Sequence, residues 1–118
     1  MKKLLFIICG ALLILLANSC GTPQKSLYTW GNYQSATYKY VKNNTPEDEE
    51  TLLQAYQYIL DNQKEGRKVV PPGICADYGF LLVKKGKIQE GIELMKLEII
   101  LYPESAVFVE RIIKRLEQ

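Results

Sequence analysis

The sequence predicts an all-α domain of about five helices behind a short apolar leader. Three observations carry this. Beyond residue 27 the apolar residues recur at three- and four-residue spacing, the period of a helix with one buried face. Proline, glycine or asparagine interrupts that pattern at Asn43-Asn44, Glu65-Gly66, Val69 to Gly73 and Tyr102-Pro103. The linker Lys85-Gly86-Lys87 is too short for anything but a tight turn between antiparallel helices.

The leader comes first. Lys2 and Lys3 precede an apolar run from Leu4 to Ala17, broken only by Gly10, in the order of a bacterial secretory signal. The run is shorter than the ~20 residues that cross a hydrocarbon core, so a permanent span is the weaker reading. Ala17-Asn18-Ser19-Cys20 resembles a lipobox, where small residues precede a cysteine that is diacylated before cleavage at its amino side. The usual leucine is displaced to Leu16 and Asn18 is unusual at its position, so an ordinary secreted protein cut near Ala17 or Ser19 is the competing reading. The expected division is residues 1–19 as a removed lipoprotein signal peptide, 20–26 as a lipidated tether and 27–118 as the folded domain. Gly21 follows the cysteine where, by resemblance to enterobacterial lipoproteins, aspartate would retain the protein in the inner membrane. Gly21 to Leu27 holds no acidic cluster resembling a surface-export signal. The expected place is the bacterial outer membrane, lipid-anchored and facing the periplasm.

In the domain, Trp30, Tyr33, Thr37 and Val41 set the face of a first helix from about Asn32 to Asn43-Asn44. A second starts at Thr45-Pro46-Glu47-Asp48-Glu49: a capping hydroxyl, proline at the first helical position, and carboxylates against the positive end of the macrodipole. It is predicted to run to about Lys64, with Leu52, Leu53, Tyr56, Ile59 and Leu60 inward. The paired prolines of Val69 to Gly73 forbid continuation, and a third helix follows from near Gly73 to Lys84 or Lys85. The fourth spans Ile88 to about Leu101, burying Ile88, Ile92, Met95 and Ile99. A last one, from Ser105 to Glu117, buries Phe108, Val109, Ile112, Ile113 and Leu116.

Charge and cysteine count exclude several chemistries. The 15 basic residues include Lys2 and Lys3, so loss of the leader leaves 13 basic and 13 acidic residues and no electrostatic footprint for nucleic acid. Of three cysteines, Cys9 leaves with the leader and Cys20 takes lipid, so Cys75 has no intrachain partner. With no histidine, most zinc sites and histidine triads are excluded, and no cofactor or metal is expected.

The second half carries a more specific signal. Counting Pro72 as the first position of a 34-residue unit puts Gly79 eighth, Leu82 eleventh, Gly91 twentieth, Met95 twenty-fourth and Pro103 thirty-second, which resembles the tetratricopeptide pattern. Small residues belong at the eighth and twentieth positions because the two helices of a unit cross closely there. The fold class is thus a short tetratricopeptide-like helical-hairpin array, about two and a half units. Tyr33 to Gln63 is a degenerate upstream unit and Ala106 to Glu117 a capping helix; the alternative is an irregular bundle. Trp30-Gly31-Asn32-Tyr33, Val70-Pro71-Pro72-Gly73, Ala76-Asp77-Tyr78-Gly79 and Tyr102-Pro103-Glu104-Ser105, in this order, resemble a family of small bacterial lipoproteins known as a domain of unknown function, number 4810. That resemblance implies a lipoprotein with tetratricopeptide-like helices, often encoded beside a lipoprotein similar to the curli secretion channel. It implies an accessory role in envelope assembly.

Two function classes remain. One is a membrane-anchored interaction or assembly module, held to the membrane by lipid on Cys20, with Trp30, Tyr33 and Tyr78 as candidate partner-binding residues and a curli-secretion-channel-like lipoprotein as a candidate partner. The other is a lipoprotein that binds cell-wall glycan or another small ligand through its aromatic-rich N-terminal segment. An enzyme is not expected, because no acid, base or nucleophile stands at a recognisable spacing. Cys75 reads as a packing residue rather than a reactive thiol, and Glu47 to Glu50 as a helix-start signal rather than a cation site.

Overall fold

The computed structural model describes residues 1–17, 21 and 23–118, all-helical with no strand among them. The expected leader forms α1 (Lys2–Ala17), whose Leu4 to Ile8 side chains are solvent-exposed. Among the described residues no helix is long and apolar enough to cross a membrane. The five helices of the domain follow: α2 (Tyr33–Asn43), α3 (Pro46–Asp61), α4 (Ile74–Lys84), α5 (Ile88–Leu101) and α6 (Ala106–Leu116), with a 3-10 turn at Pro103–Ser105. Each packs on the next in chain order, the α4–α5 pair most extensively.

Local chemistry accounts for the element ends. Asn44 closes α2 in the left-handed region, its N–H donating to the Tyr40 carbonyl, which suits asparagine better than most residues. Thr45 Oγ1 accepts from the Asp48 N–H at 3.1 Å and donates to the Asp48 carboxylate at 2.8 Å, so cap and first turn hold each other. Hydrogen bonds from Asn43 and then Thr45 hold the Asp48 carboxyl below the usual range. The α4–α5 turn is a Schellman closure on Gly86, φ +85°, with Lys87 N–H donating to the Leu82 carbonyl and Gly86 N–H to that of Val83.

One predicted boundary is corrected. α3 ends at Asp61 rather than Lys64, because side chains take over its last carbonyls: Asn62 Nδ2 donates to Tyr58 O at 2.8 Å and Gln63 Nε2 to Ile59 O at 2.9 Å. Three residues predicted inward face out. On α2 the buried stripe is Ala36, flanked by Tyr33, Thr37 and Tyr40, and Val41 is 76% exposed because it lies ~140° round the helix from Ala36, off that stripe. Ile88, 49% exposed, opens α5 at the tip of the hairpin. Phe108, 68% exposed, lies ~100° round α6 from buried Val109, on a side left open among the described residues.

The interior has two parts. Ala36, Leu52, Leu53, Ala55, Tyr56, Ile59, Ile74, Leu81 and Leu82 join α2, α3 and α4. Ile92, Met95, Val109 and Ile113 join α5 to α6. Where α4 crosses α5, Gly79 and Gly91 meet backbone to backbone. A Cβ on Gly79 would stand 2.5 Å from the Gly91 carbonyl oxygen, and one on Gly91 would stand 2.4 Å from that of Gly79 and 2.5 Å from Val83 Cγ2. The close crossing expected of these two positions is present.

Candidate functional site

Leu27 to Gly31 is not helical, yet it is firmly held. Gln63, freed by the early end of α3, pairs with the Thr29 backbone as a strand would: its Oε1 accepts from Thr29 N–H at 3.1 Å and its Nε2 donates to Thr29 O at 2.8 Å. Arg67 N–H donates to Leu27 O at 3.0 Å, and Arg67 Nη1 to the Tyr28 hydroxyl at 3.0 Å. The segment approaches the α3–α4 loop so closely that a Cβ on Gly66 would stand 2.3 Å from Leu27 O, and one on Gly31 2.6 Å from the Tyr58 ring.

This clamp places Trp30 and Tyr33 at one end of a row of aromatic rings. Tyr28 meets Trp30 edge-on at 6.0 Å, Trp30 stacks on Tyr33 at 5.6 Å, Tyr33 tilts against Tyr56 at 5.4 Å, and Tyr56 stacks on Tyr78 at 5.3 Å. Such pairs add about 1 kcal/mol each beyond the area they bury. Of the three predicted partner-binding aromatics, Trp30 and Tyr33 are brought into direct contact, and Tyr78 is joined to them through Tyr56. Tyr56 was legible only as a core residue. Its hydroxyl pKa is pushed far up, first by burial and then by Tyr33.

The row emerges in two clefts. Trp30, 40% exposed, lines one of about 630 Å³ with Tyr33, Gln34, Thr37 and Tyr38, where Thr37 Oγ1 is buried with no hydrogen-bond partner among the described residues. Tyr78 lines one of about 250 Å³ between α3 and α4, edged by Glu50, Gln54, Lys85 and Lys87, and its hydroxyl donates to Gln57 Oε1 at 3.2 Å. Lys85 bonds Glu49 at 2.9 Å and lies 3.8 Å from Glu50 there.

A second polar cluster gathers around Glu98. Glu98, 2% exposed, reaches from α5 to the start of α4, and its Oε1 accepts from Gly73 N–H at 2.7 Å. Gly73 stands at the α4 cap with φ +88°, a conformation that favours glycine, and the carboxylate meets the positive end of the helix there. Oε2 is buried and unpartnered among the described residues. Desolvation and then the Glu98 charge push the Asp77 carboxyl up, and the same causes push the Cys75 thiol to about 11. Cys75, fully buried, is held as thiol, opposite to what the helix dipole alone would favour. In the folded protein a maleimide should leave Cys75 unlabelled, with one thiol per chain appearing on denaturation. Labelling of Cys75 before denaturation would mean that the thiol is not enclosed by the fold.

Cys20 itself lies outside the described residues. Among the described residues no three of cysteine, aspartate and glutamate converge as metal ligands would. No curated protein and no solved structure matches the chain. The family described as domain of unknown function (DUF4810) matches residues 27–112, from the clamped segment into α6, and the chain belongs to that family.

Proposed function

We propose that this protein is a lipid-anchored interaction module of the bacterial cell envelope, its helical hairpins forming a tetratricopeptide-like array that docks an envelope protein. The observation that carries the reading is the Gly79–Gly91 crossing, which lets α4 and α5 pack as one unit and stack in order on α3 and α6. Stacked hairpins leave clefts between units, and the one at Tyr78 mixes apolar surface with Glu50, Gln57 and Lys85, groups suited to an extended peptide. The anchor is diacylated Cys20 after loss of residues 1–19, the location the periplasmic face of the outer membrane, and a curli-secretion-channel-like lipoprotein the candidate partner.

Photo-crosslinkers at Tyr78 and at Gln118, used in intact cells, test the docking surface. A discrete envelope-protein adduct at Tyr78 and none at Gln118 is expected; recovery of bulk porins alone at both would overturn the reading. Lipid labelling tests the anchor. Wild type takes up label and Cys20→Ala does not; label retained by the variant would refute acylation there.

A second reading has its own observation. The Trp30 cleft offers an exposed indole beside Gln34 and the unpartnered Thr37 hydroxyl, the stacking-plus-hydrogen-bond chemistry that sugars use. Sedimentation with purified peptidoglycan, lost in Trp30→Ala, would favour this glycan-binding reading. A protein left wholly in the supernatant removes it.

A further inference from the structure

α4 carries one exposed strip. Asp77, Phe80 and Lys84 lie within about 60° of one another around the helix, three and four residues apart, and Phe80 is 49% exposed between the two surface charges. α2 stands on one flank, where Tyr40 and Leu81 help all three residues line a cleft of about 200 Å³. α6 stands on the other, where Ala76 and Val83 pack against Val109 and Ile113. Among the described residues neither Asp77 nor Lys84 is ion-paired. Lys84 Nζ donates to the Tyr40 hydroxyl at 3.1 Å, while desolvation and then the Glu98 charge push the Asp77 carboxyl up. The other charges nearby are engaged elsewhere or mixed in sign. Lys85 pairs with Glu49 and Glu50, Lys87 with Glu90, Lys42 lies over the Tyr38 ring, and Lys39 acts on Asp48. Glu110, Arg111 and Lys114 of α6 make no ion pair with the strip.

The strip is its own complement when reversed. Asp77 and Lys84 stand symmetrically about the midpoint of Phe80 and Leu81, about 10.5 Å apart along the axis. A second α4 laid antiparallel on the first therefore brings Lys84 of each copy over Asp77 of the other and the two Phe80 side chains together at the centre. A parallel pairing would set like charge against like. Self-complementarity of this kind is what a two-fold contact requires, since each residue must meet the residue that meets it. We propose that this protein forms a two-fold dimer through α4, with an Asp77–Lys84 pair on either side of a Phe80–Phe80 contact. The occupant is a second copy because the strip already holds its own complement, in order and in spacing. The axis of such a dimer runs in the direction from α2 to α6, so the α2 helices of both copies, and the chain ends that precede them, lie on one side. The pairing does not rest on the lipid anchor, but with it both anchors reach the same bilayer. Tyr78 lies ~160° round α4 from Phe80, so its cleft stays open in the dimer.

The full-length protein is purified from membranes in detergent, with the photo-crosslinking residue benzoylphenylalanine in place of Phe80, and irradiated at several ratios of protein to detergent. An adduct of twice the chain mass is expected, with the crosslink mapped by mass spectrometry to residues 77–84 of the second copy. Asp77→Lys and Lys84→Asp, each carrying the crosslinker, should each lower the yield by about tenfold or more, because each sets two like-charge pairs across the axis. An equimolar mixture of the two variants should restore it, since every charge pair across the axis is then again opposite in sign. That recovery is possible only for folded chains and is not produced by a merely structural role of either residue. A wild-type chain that stays unlinked at every ratio, or links at residues outside the strip, overturns the proposal without any substitution. So does a yield indifferent to both reversals, or a mixture that remains unlinked while circular dichroism shows both variants to be helical.

Discussion

Gly91→Ala is expected to lower the stability of the domain by about 2 kcal/mol, and Gly91→Leu by about 4 kcal/mol. The sign is the informative part. In an ordinary helix interior, alanine is preferred over glycine by about 1 kcal/mol, so propensity alone predicts the reverse. Here the new Cβ would meet the Gly79 carbonyl oxygen at 2.4 Å and Val83 Cγ2 at 2.5 Å, and backbone cannot rotate away as a side chain can. The helices must separate, and with them the contacts that Met95 and Leu94 make over Gly79. Gly79→Ala should behave alike. The double variant should cost less than the sum, since one separation relieves both clashes. Urea denaturation followed by circular dichroism measures all four; a raised midpoint for Gly91→Ala would show that α4 and α5 do not cross at this distance.

Glu98→Ala is the second large effect, about 3 kcal/mol of lost stability. The change opens a space in the interior and strips the Gly73 N–H of its acceptor, each a cost of about 1–3 kcal/mol. Glu98→Gln should cost far less, because the amide oxygen still accepts from Gly73 while the desolvated charge is gone. It also has a signature that packing alone would not produce. The Asp77 carboxyl should titrate at lower pH in Glu98→Gln, while staying above the ordinary range because burial, the larger cause, remains. Carboxyl chemical shifts followed against pH measure this. An unmoved Asp77 would mean that the two carboxyls do not sense each other.

The elements were legible because their punctuation is local. Thr45-Pro46 starts a helix and Gly86 closes one through chemistry that spans a few residues, and the observed bounds follow it. Errors arose where a distant group intervened. Gln63 ended α3 early because its amide is used to hold Thr29, 34 positions away in the chain. Val41 and Phe108 fit apolar stripes on their own helices, yet each stands on a side that no neighbouring helix covers among the described residues. Glu98 is not part of the inward stripe Ile88, Ile92, Met95 and Ile99, though its place three after Met95 on the buried face of α5 is a readable signal.

The candidate site divides along the same line. Its aromatic content was visible in composition, and Trp30, Tyr33 and Tyr78 do belong to one row of rings. That Tyr56 joins them, and that the row surfaces in two separate clefts, depends on how α2, α3 and α4 are set against one another. By itself the sequence determined the helix count, most boundaries, the family and the pair of glycines at the crossing, because each is written in short-range spacing. Only the tertiary structure decided which apolar residues are covered, that a glutamate caps a distant helix, and that Leu27 and Thr29 are held by Arg67 and Gln63. Those are properties of groups far apart in the chain, whose proximity exists only once the helices have packed.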